Sequence, residues 1–323
     1  MNVFLTGGAG YIGSVCVEAL LNAGHQVTVF DNLTEGHRSA VDERARFILG
    51  DLSDPPELIK AMQGARAEVV LHFAASALVG ESMSNPSKYF RNNVANGLNL
   101  IQAAVSTEVR KFVFSSTCAT YGPPDRIPMT EDMPQRPINP YGESKLMFER
   151  MLHWYYEIHG LEFVAFRYFN AAGATQARGE HHRIETHLIP NVLRVAMGQS
   201  PFAELYGTDY PTIDGTCIRD YIHVLDLAQA HILAMQPGAV GYYNLGNGEG
   251  YSVREVIDVC RRISGKEIPL VEKSRRPGDP PRLVAGAFKA RETFGWEPKF
   301  PKIEDIVASA WAWHGNHPQG YPD

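Results

Sequence analysis

A glycine-rich turn between a short strand and a helix constrains this chain more than any other feature. Asn2–Thr6 (NVFLT) reads as a buried strand, Thr6–Gly13 reads TGGAGYIG, and Tyr11–Ala23 has helical spacing. The glycines parse as Gly8-x-Gly10-x-x-Gly13 or as Gly7-x-x-Gly10-x-x-Gly13. In this setting they permit a tight turn and let the backbone approach a pyrophosphate, whose charge the helix N-terminus stabilises. A second strand, Gln26–Asp31, ends in an acid 21 residues after Gly10. A carboxylate there accepts from an adenosine ribose 2′-hydroxyl and repels a 2′-phosphate, so NAD is expected rather than NADP. Asp51, at a Gly-Asp-Leu strand end, is placed to accept from the adenine amine. Phe73–Ala75 closes another strand with small residues that let the backbone approach the cofactor.

The alternation continues beyond that first unit. Strands are expected at Arg46–Leu49, Glu68–Phe73, Lys111–Ser115 and Glu162–Arg167, with long helices at Ser87–Ser106 and Tyr141–His159. Past about residue 170 the pattern loosens. Helices fit Leu188–Met197, Val224–Met235, Val253–Ser264 and Ile303–Trp313, and strands fit Phe202–Tyr206, Tyr242–Leu245 and Ile268–Val271. The expected fold is α/β: a Rossmann-type doubly wound parallel sheet over residues 1–170, then a smaller α/β part over 171–323. The chain is expected to cross between the two more than once.

Composition narrows the function classes. With 323 residues, 44% of them hydrophobic, and a net charge of −6, the chain suits a soluble globular protein. Its 30 Lys and Arg are scattered, so nucleic acid is not an expected partner. No run of about 20 apolar residues exists, so no membrane span is expected. The N-terminal MNVFLTGGAG has no signal-peptide pattern. Cys16, Cys118, Cys217 and Cys260 are widely spaced, so a reducing, cytoplasmic setting is expected.

Tyr141 and Lys145 in YGESK lie at i and i+4, on one face of a helix that Pro140 can open. A phenol titrates near 10, so a basic Tyr141 at neutral pH needs a shift of about three units, or roughly 4 kcal/mol. An adjacent ammonium and a cationic nicotinamide both favour the phenolate. Ser115-Ser116-Thr117 ends a strand, and a hydroxyl there can bond a substrate oxygen and assist proton transfer.

With TGGAGYIG, SST and YGESK in place, the chain resembles the extended short-chain dehydrogenase/reductase family. It is most similar to that family's UDP-glucose 4-epimerase branch. Carrying this likeness are HFAASALVGES (His72–Ser82), RYFNAAGA (Arg167–Ala174), DGTCIRDYIHVLDLA (Asp214–Ala228), YNLGNG (Tyr243–Gly248), RRPGD (Arg275–Asp279) and HPQGYPD (His317–Asp323). The resemblance spans nearly the whole chain. It implies NAD in the larger part, a UDP-hexose between the parts, and inversion at carbon 4 through a transient 4-keto sugar, with UDP-N-acetylhexosamines as possible further substrates.

By resemblance Tyr141 is the base, Lys145 tunes it and holds the nicotinamide ribose, and Thr117 positions the sugar hydroxyl. The positions that match NAD contacts are Gly7, Gly10, Tyr11, Ile12, Gly13, Asp31, Asn32, Asp51, Leu52, Phe73, Ala74, Asn93, Tyr141, Lys145 and Tyr168. Those matching nucleotide-sugar contacts are Thr117, Tyr141, Asn170, His187, Leu188, Leu205, Tyr206, Arg219, Arg276 and Asp279. Arginine binds phosphate oxygens in a bidentate way, which suits Arg219 and Arg276. Two positions depart from the pattern: His187 stands where many epimerases carry Asn, and Ala77 where some carry Lys. Leu283 falls at the family's gate for the sugar 2-substituent, where an aromatic excludes an acetamide and a small residue admits it. The family also implies a homodimer through the two long helices.

Other readings find less support. A nucleotide-sugar 4,6-dehydratase needs an acid/base pair after the SST, whereas Cys118-Ala119 follow Thr117. A uronate epimerase or decarboxylase needs added cationic contacts, and a non-catalytic NAD sensor has no need of Thr117, Tyr141 and Lys145 together. Glu180-His181-His182 with His187 has metal-ligand spacing, but a polar loop at a junction is the simpler expectation, and no metal is expected. Trp311–His314 reads as a packed helix, and Cys118 lacks a base at readable spacing.

Overall fold

A computed structural model describes residues 1–276 and 278–322. Pro277 of the RRPGD stretch and Asp323 of the HPQGYPD stretch lie outside the described residues. Seven strands form one sheet, in the order Gly241–Leu245, Glu162–Tyr168, Lys111–Thr117, Val69–His72, Asn2–Thr6, Gln26–Asp31 and Arg46–Leu49. All six neighbouring pairs are parallel. The strand order reverses at Asn2–Thr6, so a crevice opens there beyond the carboxyl ends of the strands.

Side chains alternate across each strand and both faces are covered. Val3 and Leu5 face a core shared with helices Tyr11–Asn22 and Val224–Ala234. Phe4 faces the other way, toward helices Pro55–Ala65, Gly97–Ser106 and Pro140–His159. The Gly241–Leu245 edge strand and the Val224–Ala234 helix come from the second half of the sequence, so the chain returns to the sheet after leaving it.

The rest of the second half has its own core. Helices Leu188–Ala196, Val253–Ser264 and Ile303–Asn316 pack around Ile189, Val192, Ile257 and Ile306. Short pairings tie it together: Asn170–Ala172 with Tyr221–His223, Ala203–Tyr206 with Leu270–Lys273, and Ile218–Arg219 between Tyr251–Ser252 and Arg282–Leu283.

Some elements differ from expectation. The Pro55–Ala65 helix was not expected, although Asp54 caps it by accepting from the Glu57 N–H and proline opens it. The Ser87–Ser106 stretch is not one α-helix. Pro86–Tyr89 is α-helical, Phe90–Asn96 is a π-helix, and Gly97–Ser106 is α-helical again. Strand Lys111–Thr117 runs two residues past the expected Ser115, and Ile268–Val271 gives way to Leu270–Lys273.

Candidate active site

The glycine turn sits at the crevice. Gly7 has φ +78°, and a Cβ there would lie 2.4 Å from the Ala74 nitrogen. A Cβ on Gly13 would lie 2.1 Å from the Gly7 carbonyl oxygen. These two glycines are therefore needed by the protein's own packing. Gly10 differs: its nearest obstacle would be the Gly7 oxygen at 3.4 Å, so its open side is left to a ligand. Gly10 caps the Tyr11–Asn22 helix without any side-chain cap bond, which leaves the helix N–H groups to an anion. Tyr11 is buried and donates to the Gly173 oxygen at 2.6 Å, tying the turn to the second half of the chain. Ile12 is half-buried behind it.

Asp31 is buried at the end of its strand. One carboxylate oxygen accepts from the Ala9 N–H (2.9 Å) and the other from Leu33 N–H (2.8 Å). Each oxygen keeps a lone pair for a ribose hydroxyl. Beside it, Asn32 donates to Asp51 at 2.6 Å. Burial works against the Asp51 carboxylate, but bonds from Ser53 and Asn32 outweigh it and hold its pKa below the usual value. Leu52 packs in the core, the Phe73 ring lies tilted against His231 with centroids 4.8 Å apart, and Ala74 lies against Gly7. This set fits a dinucleotide: open backbone at Gly10, uncapped amides at the helix start, and an acid pair at the adenosine end.

Thr117 is the last residue of its strand, and its Oγ1 accepts from the Ala119 N–H at 3.1 Å. The helix carrying Tyr141 begins against that same turn. Asn139 caps it by accepting from Gly142 N–H at 2.8 Å. A Cβ on Gly142 would lie 2.5 Å from the Ala119 oxygen, so only glycine lets the helix start this close. The approach brings the Thr117 hydroxyl to the Tyr141 phenol. Sequence reasoning missed Asn139 and Gly142, though an Asn-Pro-x-Gly at a helix start was a readable signal.

Lys145 is buried one turn on. Its Nζ donates to the Ser115 carbonyl at 2.7 Å and lies 5.9 Å from the centroid of the Tyr141 ring. Burial lowers its pKa to about 7, against the pull of Glu149. Glu149 is itself paired with buried Arg167 at 2.7 Å. Burial raises Tyr141 to about 12, and the Thr117 hydroxyl opposes the rise. The expectation that a neighbouring ammonium lowers the phenol thus meets a stronger effect, the desolvation of the phenolate. Tyr168 and Ser115 share a hydrogen bond under this group.

The π-helix places Asn93 inside. Its amide donates to the Ser76 carbonyl and to Ser144 Oγ, both at 3.0 Å, and its oxygen accepts from Ser76 N–H at 2.9 Å. Asn93 therefore joins the Phe73–Ser76 strand end to the helix of Tyr141 and Lys145. Ala77 is exposed.

The nucleotide-sugar candidates come from the second half. Arg219 is buried and donates to Asp279, to the Pro280 oxygen (2.9 Å) and to the Ile218 oxygen (2.7 Å). Arg276 lies 4.2 Å above the Tyr206 ring. Leu283 pairs in register with Arg219 and packs beside Tyr121 and Phe169. Leu205 is fully buried in the second core, which leaves it only backbone to offer a ligand. Asn170 starts a strand, with its N–H on the Asp220 oxygen at 3.0 Å. His187 caps the helix that begins at Leu188, and its Nδ1 lies 2.6 Å from Glu180. Desolvation opposes its charge, but Glu180 and Glu185 outweigh it and raise its pKa above the usual imidazole value. Cys118 lies within electrostatic range of both Arg219 and Tyr141, and burial pushes its thiol up to about 12. That suits packing better than nucleophilic attack.

The NAD dependent epimerase/dehydratase family matches residues 3–246. The UDP-glucose 4-epimerase of Halalkalibacterium halodurans is 50% identical over 327 residues, covering 99% of this chain and 98% of the relative. The crystal structure of UDP-glucose 4-epimerase from Bifidobacterium longum, in complex with NAD+ and UDP, superposes with a TM-score of 0.95 at 36% identity, covering 99% of this chain and 100% of that one. The UDP-Glc/GlcNAc 4-epimerase of Campylobacter jejuni superposes with a TM-score of 0.85 at 38% identity, covering 97% and 99%. The chain belongs to the NAD dependent epimerase/dehydratase family.

Proposed function

We propose that this protein interconverts UDP-galactose and UDP-glucose by inverting carbon 4 of the hexose, with NAD as resident cofactor. The observation that carries the reading is the approach of Thr117 to Tyr141, with the buried Lys145 Nζ beside them, at the crevice end of the sheet. NAD, when bound, supplies a reversible acceptor for the hydrogen on carbon 4. Tyr141, as phenolate, takes the proton of the 4-hydroxyl. Thr117 orients that hydroxyl, and Lys145, anchored on the Ser115 carbonyl, stabilises the phenolate. The 4-keto sugar turns about its link to UDP and shows its other face, and Tyr141 returns the proton. Residues 1–170 hold NAD, and 171–323 mainly hold the nucleotide sugar, with Arg219 and Arg276 at the diphosphate.

A second substrate class is favoured by one observation. Leu283, beside Arg219 in the sheet, is a residue of middle size at the gate position, and a relative of similar fold is named for both UDP-Glc and UDP-GlcNAc. UDP-N-acetylhexosamines belong in the substrate screen.

A homodimer is supported by the helix Pro140–His159, which exposes Met147 (37%), Trp154 (61%) and Ile158 (69%) along one stripe. A cytoplasmic setting is supported by its four free cysteines.

The deciding experiment incubates the purified protein with UDP-galactose without added NAD and separates the products. Formation of UDP-glucose, abolished in Tyr141→Phe, is expected. No conversion even with added NAD would overturn the reading.

A further inference from the structure

One cluster, apart from its member His187, plays no part in the reaction just described. Residues 180–187 form a loop that contains Glu-x-His twice, Glu180-His181-His182 and Glu185-Thr186-His187. The short spacing keeps each carboxylate near its imidazole. The fold then brings the pairs into contact. One ligand atom from each of Glu180, His182, Glu185 and His187 lies within 4.8 Å of the other three. Glu180 Oε1 is 3.2 Å from His182 Nε2 and 2.6 Å from His187 Nδ1, and Glu185 Oε1 is 3.3 Å from His187 Nδ1.

A second observation concerns Glu185 alone. Its side chain has no exposed surface, and its Oε2 is buried with no hydrogen-bond partner among the described residues. Its Oε1 is fully engaged, accepting from the backbone N–H groups of Thr186 (2.9 Å) and His187 (2.8 Å). A buried carboxylate oxygen left bare is costly unless a cation or donor faces it. Glu180, with 5% of its side chain exposed, brings a second carboxylate into the same space.

We propose that Glu180, His182, Glu185 and His187 bind one divalent first-row transition-metal ion, with zinc the first candidate. Two imidazoles and two carboxylates suit zinc, whose ligand atoms at about 2.0–2.2 Å lie roughly 3–4 Å from one another. Two carboxylates neutralise a dication, so the site stays uncharged overall. A metal on His187 Nδ1 would sit where that nitrogen now faces Glu180 Oε1 at 2.6 Å. It leaves Nε2 as a donor of fixed direction, which is the hydrogen bond the candidate substrate role of His187 needs. The site lies beside Tyr11, whose ring meets that of His182 at 6.2 Å, so the metal would lock the loop onto the phosphate turn. The proposal does not depend on which sugar is turned over.

The test uses full-length protein stripped with a chelator and then titrated with Zn²⁺ against a chromophoric competitor. Bound metal is counted by mass spectrometry. About one zinc per chain is expected, with affinity weakened at least ~10-fold in Glu185→Gln and in His182→Gln. Zinc should also raise the thermal midpoint of the parent protein and not that of either variant. His182 is partly exposed, so its variant remains testable if loss of the Glu185 carboxylate harms folding. Stoichiometry far below one, zinc affinity in both variants equal to that of the parent, or equal competition by Ca²⁺ would each overturn the proposal.

Discussion

Replacing Lys145 by methionine tests whether this lysine acts by its charge. Burial holds Tyr141 near 12, so a phenolate at pH 7 requires ~7 kcal/mol of stabilisation, at about 1.4 kcal/mol per pH unit. Lys145 itself is lowered to about 7, so it is neutral wherever a phenol held near 12 titrates. Its help comes only once phenolate and ammonium exist together. With Nζ 5.9 Å from the ring centroid, that pair is worth ~3 kcal/mol at an effective dielectric of about 20. This is about two pH units, or less than half of what is needed. The remainder has to come from other positive charge at the site. Activity rises with pH as the phenol ionises, so Lys145→Met should move the acid limb of the pH–rate profile up by about two units. At pH 7 the rate falls ~100-fold, and raising the pH by about two units restores most of it. The assay is the initial rate of UDP-galactose conversion from about pH 6 to about pH 10, with a thermal melt to confirm folding. A loss of the same size at every pH would refute the reasoning, because it would mean that the lysine only positions its neighbours.

Three further outcomes follow from the geometry. Gly13→Ala drives a Cβ into the Gly7 carbonyl and should cost about 1–3 kcal/mol of stability, whereas Gly10→Ala should leave the melting temperature nearly unchanged and release NAD during purification. Denaturation curves and cofactor absorbance on the same samples separate the two, and equal melting temperatures would count against the loop assignment. Thr117→Val keeps the shape and removes the hydroxyl facing Tyr141, so kcat should fall about 100-fold with little change in KM, and Thr117→Ser should recover most of it. Leu283→Tyr, beside Arg219, should suppress turnover of UDP-N-acetylhexosamines while sparing UDP-galactose; unchanged turnover of an acetamido substrate would remove Leu283 as a gate.

The parts of the site that could be read in advance are those that backbone chemistry spells out locally. A glycine turn between strand and helix, an acid at the next strand end, and Tyr and Lys one helical turn apart each leave a mark within a few residues. What stayed hidden depends on distant neighbours. The π-helix at Phe90–Asn96 adds a residue to each turn without changing composition, and only this places Asn93 between Ser76 and Ser144. Gly142 looks like an ordinary helical glycine until Ala119 is found 2.5 Å from where its Cβ would be. Two-residue strands such as Ile218–Arg219 carry no periodicity, because their partners at Tyr251–Ser252 and Arg282–Leu283 define them. Glu185 stands out in sequence only as one more acid, and its bare oxygen is a property of the folded loop.

The proposed reaction asks one pocket for two opposed qualities, and the fold separates them by element. Turning a keto sugar between two faces requires a loose hold on the ring, while the proton must leave and return at one fixed atom. Rigidity is concentrated where the chemistry is: Lys145 on the Ser115 carbonyl, the helix start wedged against Ala119, and Asn93 bracing Ser144 one turn from Tyr141. Arg219 is equally constrained, held by Asp279 and two carbonyls, and so can present a fixed cation to a diphosphate. Leu283, between these two anchors in the proposed site, brings methyl groups and no hydrogen bond through its side chain. A hydrocarbon wall excludes water without favouring either face of the ring, so strong binding at the diphosphate need not slow the turn. The same argument ties specificity to volume at Leu283 rather than to any added polar contact, since a new hydrogen bond to the hexose would favour one epimer and hinder the return.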